Sequence, residues 1–322
     1  MLARSHTRFY LNRLSFQIED IVVSEIDHVG CNRRKYIDYR SVYERSCRNI
    51  ALNSLNDFSY CITMACCMTV RDCAPFLPKV FENINRLRTL FPSFVLIVAY
   101  DHCVDRSEQL LIQYQWMSSF PVYLLPDNTP SSLRTVRIAN ARNRCLDKLE
   151  TLKLDTGIHF MIDADDVNVE PWNLTLLRYY LSKDSPDWDA LTFNRPDYYD
   201  IWALMYPPFQ HHCWGFARHS KEVVALMKKD IQRQLTHCEL FRCQSAFNGF
   251  AMYKTQVFQG KRYCGEYKQL KPLISEQARQ KTLDALSIPN LEIDESYPQS
   301  CEHLYYHLST PTAKIFISRY FI

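Results

Sequence analysis

The chain has 322 residues, of which 47% are hydrophobic, so it can bury the core of one large α/β domain or two small ones and is not mainly disordered. Its formal net charge of +3 is too balanced to indicate a nucleic-acid-binding surface, and no nucleic-acid partner is predicted. The 13 cysteines include no C-x-x-C pair, which excludes a zinc ribbon and a thioredoxin-type site. Several of them lie in apolar runs, which is typical of free thiols in a reducing compartment.

The N-terminal region carries no motif that predicts a function. Residues 1–56 are mixed in charge, with one helix predicted at 39–55, and we expect an extension packed on a main domain of residues 57–322. The N-terminal segment lacks the apolar centre of a signal peptide, and no window reaches 18 consecutive apolar residues. No transmembrane segment is therefore predicted, and the free thiols predict a cytoplasmic location.

From residue 58 the chain alternates between buried strands and amphipathic helices. Apolar runs at 60–70, 94–100, 121–125 and 158–162 predict strands. Helices are predicted between them, one within 73–91 and two over 107–116 and 131–152. Strands and helices that alternate at this spacing form a mostly parallel sheet flanked by helices. A less regular half follows, in which strands are predicted at 188–194 and at the end of 243–253.

Acidic residues follow three of the predicted strands. Asp72 comes after the first strand, Asp101 after the second, and Asp163, Asp165 and Asp166 after the fourth. The carboxyl ends of parallel strands share one edge, where ligands bind in open α/β sheets. A D-x-D pair at this edge can offer hard oxygen ligands to Mg²⁺ or Mn²⁺, although an acidic turn that caps the next segment has the same pattern.

Arg142 is the second anomaly in the first half of the chain. It projects from the middle of an apolar helix face that includes Ala139, Cys145, Leu146 and Leu149. A guanidinium there either pairs with a carboxylate or phosphate at the sheet edge, or lies at the helix rim with its head in solvent.

The second half has three segments of interest. The stretch RPDYYDIWALMYPPF carries Asp200 among many aromatic rings, which suits sugar recognition but also ordinary core packing. Gly249, after Asn248, indicates a turn or a close approach to a ligand. Near the C-terminus, Glu302 and His303 are adjacent, and in an extended segment they would point to opposite faces.

These segments together resemble a GT-A glycosyltransferase, a family with a Rossmann-like sheet that transfers sugars from nucleotide diphosphates. The resemblance rests on the loop at Arg71-Asp72, Asp101, IANARNRCLDKL, MIDADDVN, FNGFAMYK and CEHLYYH, and covers roughly residues 57–310. The chain is similar to family 2-like and capsule mannosyltransferase-like enzymes, and most similar to glycosyltransferases of large DNA viruses. A viral protein of this kind would act in the host cytoplasm.

The resemblance implies a donor site in residues 57–167 and an acceptor half in residues 168–322. In such enzymes Arg71, Asp72 and Asp101 hold the nucleoside, and Arg142 lies near the nucleotide. Asp163 would contact the donor as well as the metal.

The resemblance also implies a metal site and a position for the donor sugar. Asp163 and Asp165 would bind the Mn²⁺ or Mg²⁺ that bridges the diphosphate, and His303 would complete this site. Gly249 would lie under the donor sugar. The usual acid-rich catalytic triplet is replaced by Cys301-Glu302-His303, so the identity of the base stays open between Glu302 and Asp200, and the stereochemistry stays open as well.

The sequence therefore predicts a metal-dependent glycosyltransferase that uses a UDP- or GDP-sugar and a hydroxyl acceptor, such as a glycan or glycoprotein. The alternative is a sugar- or nucleotide-binding module with a decayed site. A glycoside hydrolase would need neither a metal-bound nucleotide nor a buried arginine. Sugar-1-phosphate nucleotidylyl transfer needs a glycine-rich phosphate loop, which a chain with only 6 glycines lacks.

Overall fold

The computed structural model describes residues 63–127, 131–154 and 156–322. The predicted N-terminal extension of residues 1–56, with its helix at 39–55, lies outside the described residues, as does the start of the first predicted strand. All described residues belong to one compact unit.

Within the described residues, eight strands form one sheet in the order β3-β2-β1-β4-β7-β5-β8-β6. The pairs β1–β2, β2–β3, β1–β4 and β5–β8 are parallel, and the other three pairs are antiparallel. The predicted fold class, an α/β protein with a central, mostly parallel sheet, is confirmed. The strands are β1 (Thr63–Val70), β2 (Ser93–Asp101), β3 (Val122–Asp127), β4 (Ile158–Asp163), β5 (Ala190–Asn194), β6 (Leu240–Cys243), β7 (Phe250–Lys254) and β8 (Ile315–Phe321).

Helices cover both faces of this sheet. Alternate side chains of each strand therefore pack into two hydrophobic cores, one on each face. Ala65 and Cys67 of β1 pack with the helix that carries Arg142, whereas Met64 and Cys66 pack with the helix that follows β1. The α-helices of the described residues are α1 (Leu77–Arg88), α2 (Ser107–Met117), α3 (Arg134–Leu152), α4 (Leu174–Leu181), α5 (Ser220–His237), α6 (Tyr267–Leu270), α7 (Glu276–Leu286) and α8 (Glu302–Leu308).

The strand register brings the predicted acidic residues to one edge. Thr69 is paired with Asp163, and Val70 is paired with Tyr100, the residue before Asp101. The carboxyl ends of β1, β2 and β4 therefore lie side by side, as the sequence predicts. Next to them, β7 runs in the opposite direction, and the amide of Asp163 donates to the carbonyl of Gly249 over 3.0 Å.

The segment around His303 is helical, so its extended alternative is wrong. Residues 302–308 form α8, in which Glu302, His303, Leu304, Tyr306 and His307 are all buried. A short helix that is buried on most sides has no polar face, so its sequence shows no period of 3.6 residues. His303 and His307 share one side of α8 because they are one turn apart.

Among the described residues, no helix is both long enough and apolar enough to cross a membrane.

Candidate active site

Arg142 is the centre of the site. Its side chain is 4% exposed, its Nη2 lies 2.8 Å from Asp163 Oδ1, and its Nε lies 2.9 Å from Glu302 Oε1. The guanidinium carbon also lies 4.6 Å from the centre of the Phe247 ring. Burial alone would lower the pKa of Arg142, but Asp163 and Glu302 hold it well above its usual range. The predicted pairing with a carboxylate is confirmed, and a position at the helix rim is wrong.

The two acids of the D-x-D differ in how their oxygens are used. Asp163 is bound by Arg142, and its Oδ2 accepts a hydrogen bond of 3.4 Å from the hydroxyl of Tyr199. Asp165 is partly buried, and its Oδ1 has no hydrogen-bond partner among the described residues. Burial, with Asp163 and Asp166 nearby, raises the pKa of Asp165 to about 6. Asp165 therefore has a carboxylate oxygen that no donor contacts among the described residues, and a cation bound to this oxygen would be stabilised.

Two asparagines hold the D-x-D loop in place. The side chain of Asn168 donates to the carbonyls of Asp163 and Gly249, each over 2.8 Å. Its oxygen accepts from Arg195 Nη2 at 3.0 Å. Asn83 of α1 donates in turn to the carbonyl of Asn168 over 2.9 Å. Sequence reasoning missed these residues, although an asparagine three positions after the second aspartate of a D-x-D could have indicated a loop clamp.

Gly249 has a backbone conformation and a packing environment that exclude a side chain. Its φ is +85°, and an added Cβ would lie 2.6 Å from Val167 Cγ2 and 2.8 Å from the Tyr199 hydroxyl. Of the two alternatives predicted at this position, the turn is confirmed, and the close neighbours of Gly249 are the D-x-D loop and Tyr199. Contact with a donor sugar stays a prediction.

Asp200 and Glu302 lie near the same centre but in different environments. Glu302 is bound to Arg142, whereas Asp200 Oδ1 accepts only from the amide of Ala203, at 3.2 Å, among the described residues. Burial, with Glu302 and Asp163 nearby, raises the pKa of Asp200 to about 7. We call Asp163, Asp165, Asp200 and Glu302 the central acidic group.

His303 lies beside this group, inside an aromatic core. Its ring is 1% exposed and stacks on Phe247 with centroids 3.8 Å apart. Its Nε2 is 3.6 Å from Glu302 Oε1 and has no hydrogen-bond partner among the described residues. No ion pair or hydrogen bond of the described residues joins His303 to Asp163 or Asp165, so the structure does not bring the three predicted metal ligands into direct contact.

A second set of acids lies at the ends of β1 and β2, and we call Asp72, Asp101 and Asp105 the loop acidic group. Asp101 Oδ2 lies 3.0 Å from Arg71 Nη1. Asp72, whose φ is 51°, accepts from the amide of Val104 over 2.7 Å. Arg71, Asp72 and Asp101, the predicted nucleoside-binding residues, are thus brought together.

Part of the loop acidic group has spacing that a metal ion could use. One ligand atom each from Asp72, Cys103 and Asp105 lies within 4.8 Å of the others, which makes them the one such trio in the described part of the chain. The carboxylates are already engaged, because Asp105 accepts from the amides of Ala74 and Ser107 over 2.9 and 2.8 Å. These acids therefore cap their own loop.

The fold and this site define an α/β protein with partly buried acids, one of them with an unpartnered oxygen among the described residues, at the carboxyl edge of its sheet. No family model matches the chain, and none of the curated proteins matches it. Solved structures do share some of its arrangement. S. aureus TarS, residues 1–349, has a TM-score of 0.38 and 10% identity, over 80% of this chain and 58% of that one.

Two further structures are similar to a like degree. Mannosyltransferase PcManGT from Pyrobaculum calidifontis, in complex with GDP-Man and Mn²⁺, has a TM-score of 0.37 and 13% identity, over 70% of this chain and 55% of that one. Glucosyl-3-phosphoglycerate synthase from Mycobacterium tuberculosis, in complex with Mn²⁺, UDP and glucosyl-3-phosphoglycerate, has a TM-score of 0.38 and 14% identity, over 70% and 66%. The chain spans little more than half the length of the first two, and likeness at these values assigns it no activity.

Proposed function

We propose that this protein is a metal-dependent glycosyltransferase that moves a sugar from a UDP- or GDP-sugar to a hydroxyl group of a glycan or glycoprotein. One observation carries the proposal: Arg142 is buried between Asp163 of the D-x-D and Glu302, while Asp165 beside them keeps an oxygen without a partner. This arrangement lies at the carboxyl edge of a parallel sheet, where α/β proteins bind nucleotides. The resemblance of the sequence motifs to GT-A enzymes supports the same reading.

The donor would lie across the ends of β1, β2 and β4. Arg71, Asp72 and Asp101 would contact the nucleoside, and Gly249 would lie under the sugar. Residues 57–167 would thus form the nucleotide-binding half, and residues 168–322 the acceptor half. A cytoplasmic location and the closer relation to capsule mannosyltransferases and viral enzymes belong to the same proposal.

The residues present fit a divalent cation bound mainly through Asp165. Mg²⁺ and Mn²⁺ prefer oxygen ligands, and Mg²⁺ is commonly held by one or two carboxylates together with substrate phosphates and water. Asp165 Oδ1 is unpartnered, whereas both oxygens of Asp163 already have donors. When bound, the ion would neutralise charge that develops on the leaving diphosphate. Asp163 and His303 would complete the site.

Asp200 is the better candidate for the base if the reaction inverts the anomeric centre. Glu302 is 4% exposed and its Oε1 is bound to Arg142 Nε, so an acceptor hydroxyl has little access to it. The pKa of Asp200, raised to about 7, is close to the value at which a general base works best near neutral pH. Asp200 is also partly exposed, so an acceptor hydroxyl can reach it.

Calorimetry with UDP- and GDP-sugars, with and without Mn²⁺, tests the proposal. Asp165→Asn keeps the shape of the side chain and removes the charge, so we expect Mn²⁺-dependent donor binding to fall at least about tenfold. Asp166→Asn is the matched control, because Asp166 is the exposed neighbour and should change donor affinity little. Equal affinities of wild type and Asp165→Asn would contradict the metal assignment. Donor binding without any transfer to a panel of acceptors would favour a binding module.

A further inference from the structure

Four buried polar side chains form a continuous hydrogen-bonded chain behind Glu302. His303 and His307 lie one turn apart on α8, and the hydroxyl of Tyr253 on β7 lies between them. Tyr253 Oη is 3.1 Å from His307 Nε2 and 3.5 Å from His303 Nδ1. Ser245 Oγ lies 2.8 Å from His307 Nδ1 and 2.7 Å from the carbonyl oxygen of Ala203.

The direction of every proton in this chain follows from its fixed end. The Ala203 carbonyl can only accept, so the Ser245 hydroxyl donates to it. With its one proton used, Ser245 must accept from His307, and His307 Nδ1 therefore carries a proton. Burial lowers the pKa of His307 to about 3, so the ring is neutral and its Nε2 has none. That Nε2 then accepts from Tyr253.

The protonated ring nitrogen of His303 follows from the same hydrogen bonds. Because the Tyr253 proton points to His307, the Tyr253 oxygen can only accept from His303 Nδ1. His303 Nε2 would then carry a lone pair and no proton, and this atom is the one that has no hydrogen-bond partner among the described residues. Both contacts of the ring are long, 3.5 Å from Nδ1 to Tyr253 Oη and 3.6 Å from Nε2 to Glu302 Oε1, but that Glu302 oxygen is already bound by Arg142 Nε. The positive charge of Arg142 offsets the attraction of this carboxylate for a proton on Nε2.

We infer that Ser245, His307 and Tyr253 are positioning residues that hold His303 as its Nδ1–H tautomer and so present the Nε2 lone pair to the side of Glu302. A lone pair that faces a carboxylate oxygen is stabilised by nearby positive charge, which Arg142 supplies at Glu302 Oε1 and which a cation bound between the two atoms would increase. The hydrogen-bonded geometry does not depend on the proposed function. The role given to Nε2 rests on the proposed function, because Nε2 in this form can act as a ligand for the divalent cation. Metal-binding histidines are commonly oriented by a hydrogen bond at the other ring nitrogen.

The chain also connects two parts of the site. Ala203, whose carbonyl fixes the proton direction, ends the 3-10 turn Ile201–Ala203, and the side chain of Asp200 caps this turn by accepting from the Ala203 amide. The loop that carries Asp200 thus fixes the direction of the hydrogen bonds that lead to His303.

The test is ¹⁵N NMR of the full chain labelled at histidine, without metal or donor, in which long-range ¹H–¹⁵N correlations identify the protonated ring nitrogen. In wild type we expect the Nδ1–H form at both His303 and His307. Ser245→Ala removes the acceptor of His307 Nδ1–H, so His307 should change to its Nε2–H form. The Tyr253 hydroxyl would then turn to His303, which should also change to Nε2–H. Ser300→Ala is the matched control, since Ser300 is buried and its hydroxyl has no partner in the described part of the chain.

Tyr253→Phe distinguishes an ordered set of hydrogen bonds, in which each residue fixes the tautomer of the next, from a general loss of packing. Without the Tyr253 oxygen, His303 should lose its preference for Nδ1–H, while His307 should keep its tautomer because Ser245 still holds it. An Nε2–H form of His303 in wild type would overturn the inference. So would an unchanged His303 in both variants, each shown to be folded by its amide spectrum.

A second measurement tests the use of the lone pair. Mn²⁺-dependent UDP affinity should fall about 10–100-fold in Ser245→Ala, as it does when residues that orient metal ligands are replaced. A change of tautomer with unchanged affinity would overturn the assigned use of Nε2. If wild type binds no UDP with Mn²⁺, the proposed function fails, and the tautomer result still decides whether the hydrogen-bonded chain acts as described.

Discussion

The central and loop acidic groups consist of the same residue types at the same edge of the sheet, yet their oxygens are used differently. In the loop group, Asp72, Asp101 and Asp105 each accept from backbone amides or from Arg71. Burial alone would raise the pKa of Asp105, but hydrogen bonds from Ser107 and Ala74 lower it. In the central group, by contrast, the pKa values of Asp165 and Asp200 are raised to about 6 and about 7.

The number of acids in a cluster therefore does not identify a binding site. The loop group satisfies its own charges and stabilises a turn, although its spacing alone would suit a metal ion. The central group shares one arginine among its acids and leaves an oxygen of Asp165 unpartnered. Groups that are left unpaired after folding are expected where a ligand completes the site.

The largest expected effect on stability comes from removing Arg142, the cation of the central group, and it is compared with the removal of Arg71 from the loop group. Arg142→Met should lower the free energy of unfolding by about 3–5 kcal/mol, because the buried carboxylate of Glu302 and the partly buried carboxylate of Asp163 lose their partner. The matched change Arg71→Met, at an exposed pair, should cost no more than about 1 kcal/mol. Urea denaturation of both variants measures the difference. Equal losses would show that the two groups do not differ in the way described.

A smaller change at the same residue separates charge from geometry. Arg142→Lys keeps the charge and loses the planar fork, so the variant should fold while donor affinity falls. Calorimetry with the donor measures this, and unchanged affinity would leave Arg142 a purely structural residue.

The next effect distinguishes the two candidate bases within the central group. We expect Asp200→Asn to lower turnover about 10²–10⁴-fold with little change in donor affinity, as removal of a general base does. Glu302→Gln should weaken donor binding and stability as well, because it disturbs Arg142. Steady-state kinetics and calorimetry on both variants decide the matter. Near-normal turnover of Asp200→Asn together with a large loss in Glu302→Gln would reverse the assignment, and normal turnover in both would favour a retaining mechanism without a base here.

Two glycines with positive φ offer a comparison of packing around the central group. Gly249→Ala combines backbone strain of about 1–2 kcal/mol with a clash against Val167 and Tyr199. Gly260→Ala carries the strain alone, since nothing lies within 4 Å of an added Cβ. Thermal unfolding should therefore show the larger loss at Gly249. A smaller loss there would mean that Tyr199 moves aside freely.

The last effect is a dependence of stability on pH. The pKa of Asp200 is about 7 in the folded protein, above the ordinary value of 3.8, so between these values the folded state holds a proton that the unfolded chain has released. Its contribution to stability is therefore present at low pH and is lost as the pH rises towards 7, with a slope of at most about 1.4 kcal/mol per pH unit. Asp200→Asn should remove this part of the slope in urea titrations from pH 5 to about 8, and an unchanged slope would contradict the raised pKa.

The sequence predicts the first half of the fold well, because β1, β2 and β4 are buried on both faces and appear as continuous apolar runs. It also places the D-x-D at the sheet edge and, of the places that it leaves open for Arg142, the one beside a carboxylate partner is observed. It does not identify Glu302 as that partner, since the pair joins residues 160 positions apart and periodicity carries no information on distant contacts. The roles of Asn168, Arg195 and Tyr199 were missed for the same reason, and α8 was missed because it is buried on most sides.

The position of Asp163 next to Gly249 has a consequence for how the protein is made. The D-x-D lies where the parallel strands meet an antiparallel neighbour, and its backbone is bonded to a residue that leaves the ribosome much later. The Arg142–Glu302 pair closes later still. Strands β1 to β4 are thus synthesised before the contacts that close their carboxyl edge can form, and long-range closures of this kind slow folding. During synthesis Arg142 can pair with Asp163 early, but it lacks its second carboxylate partner until α8 has emerged.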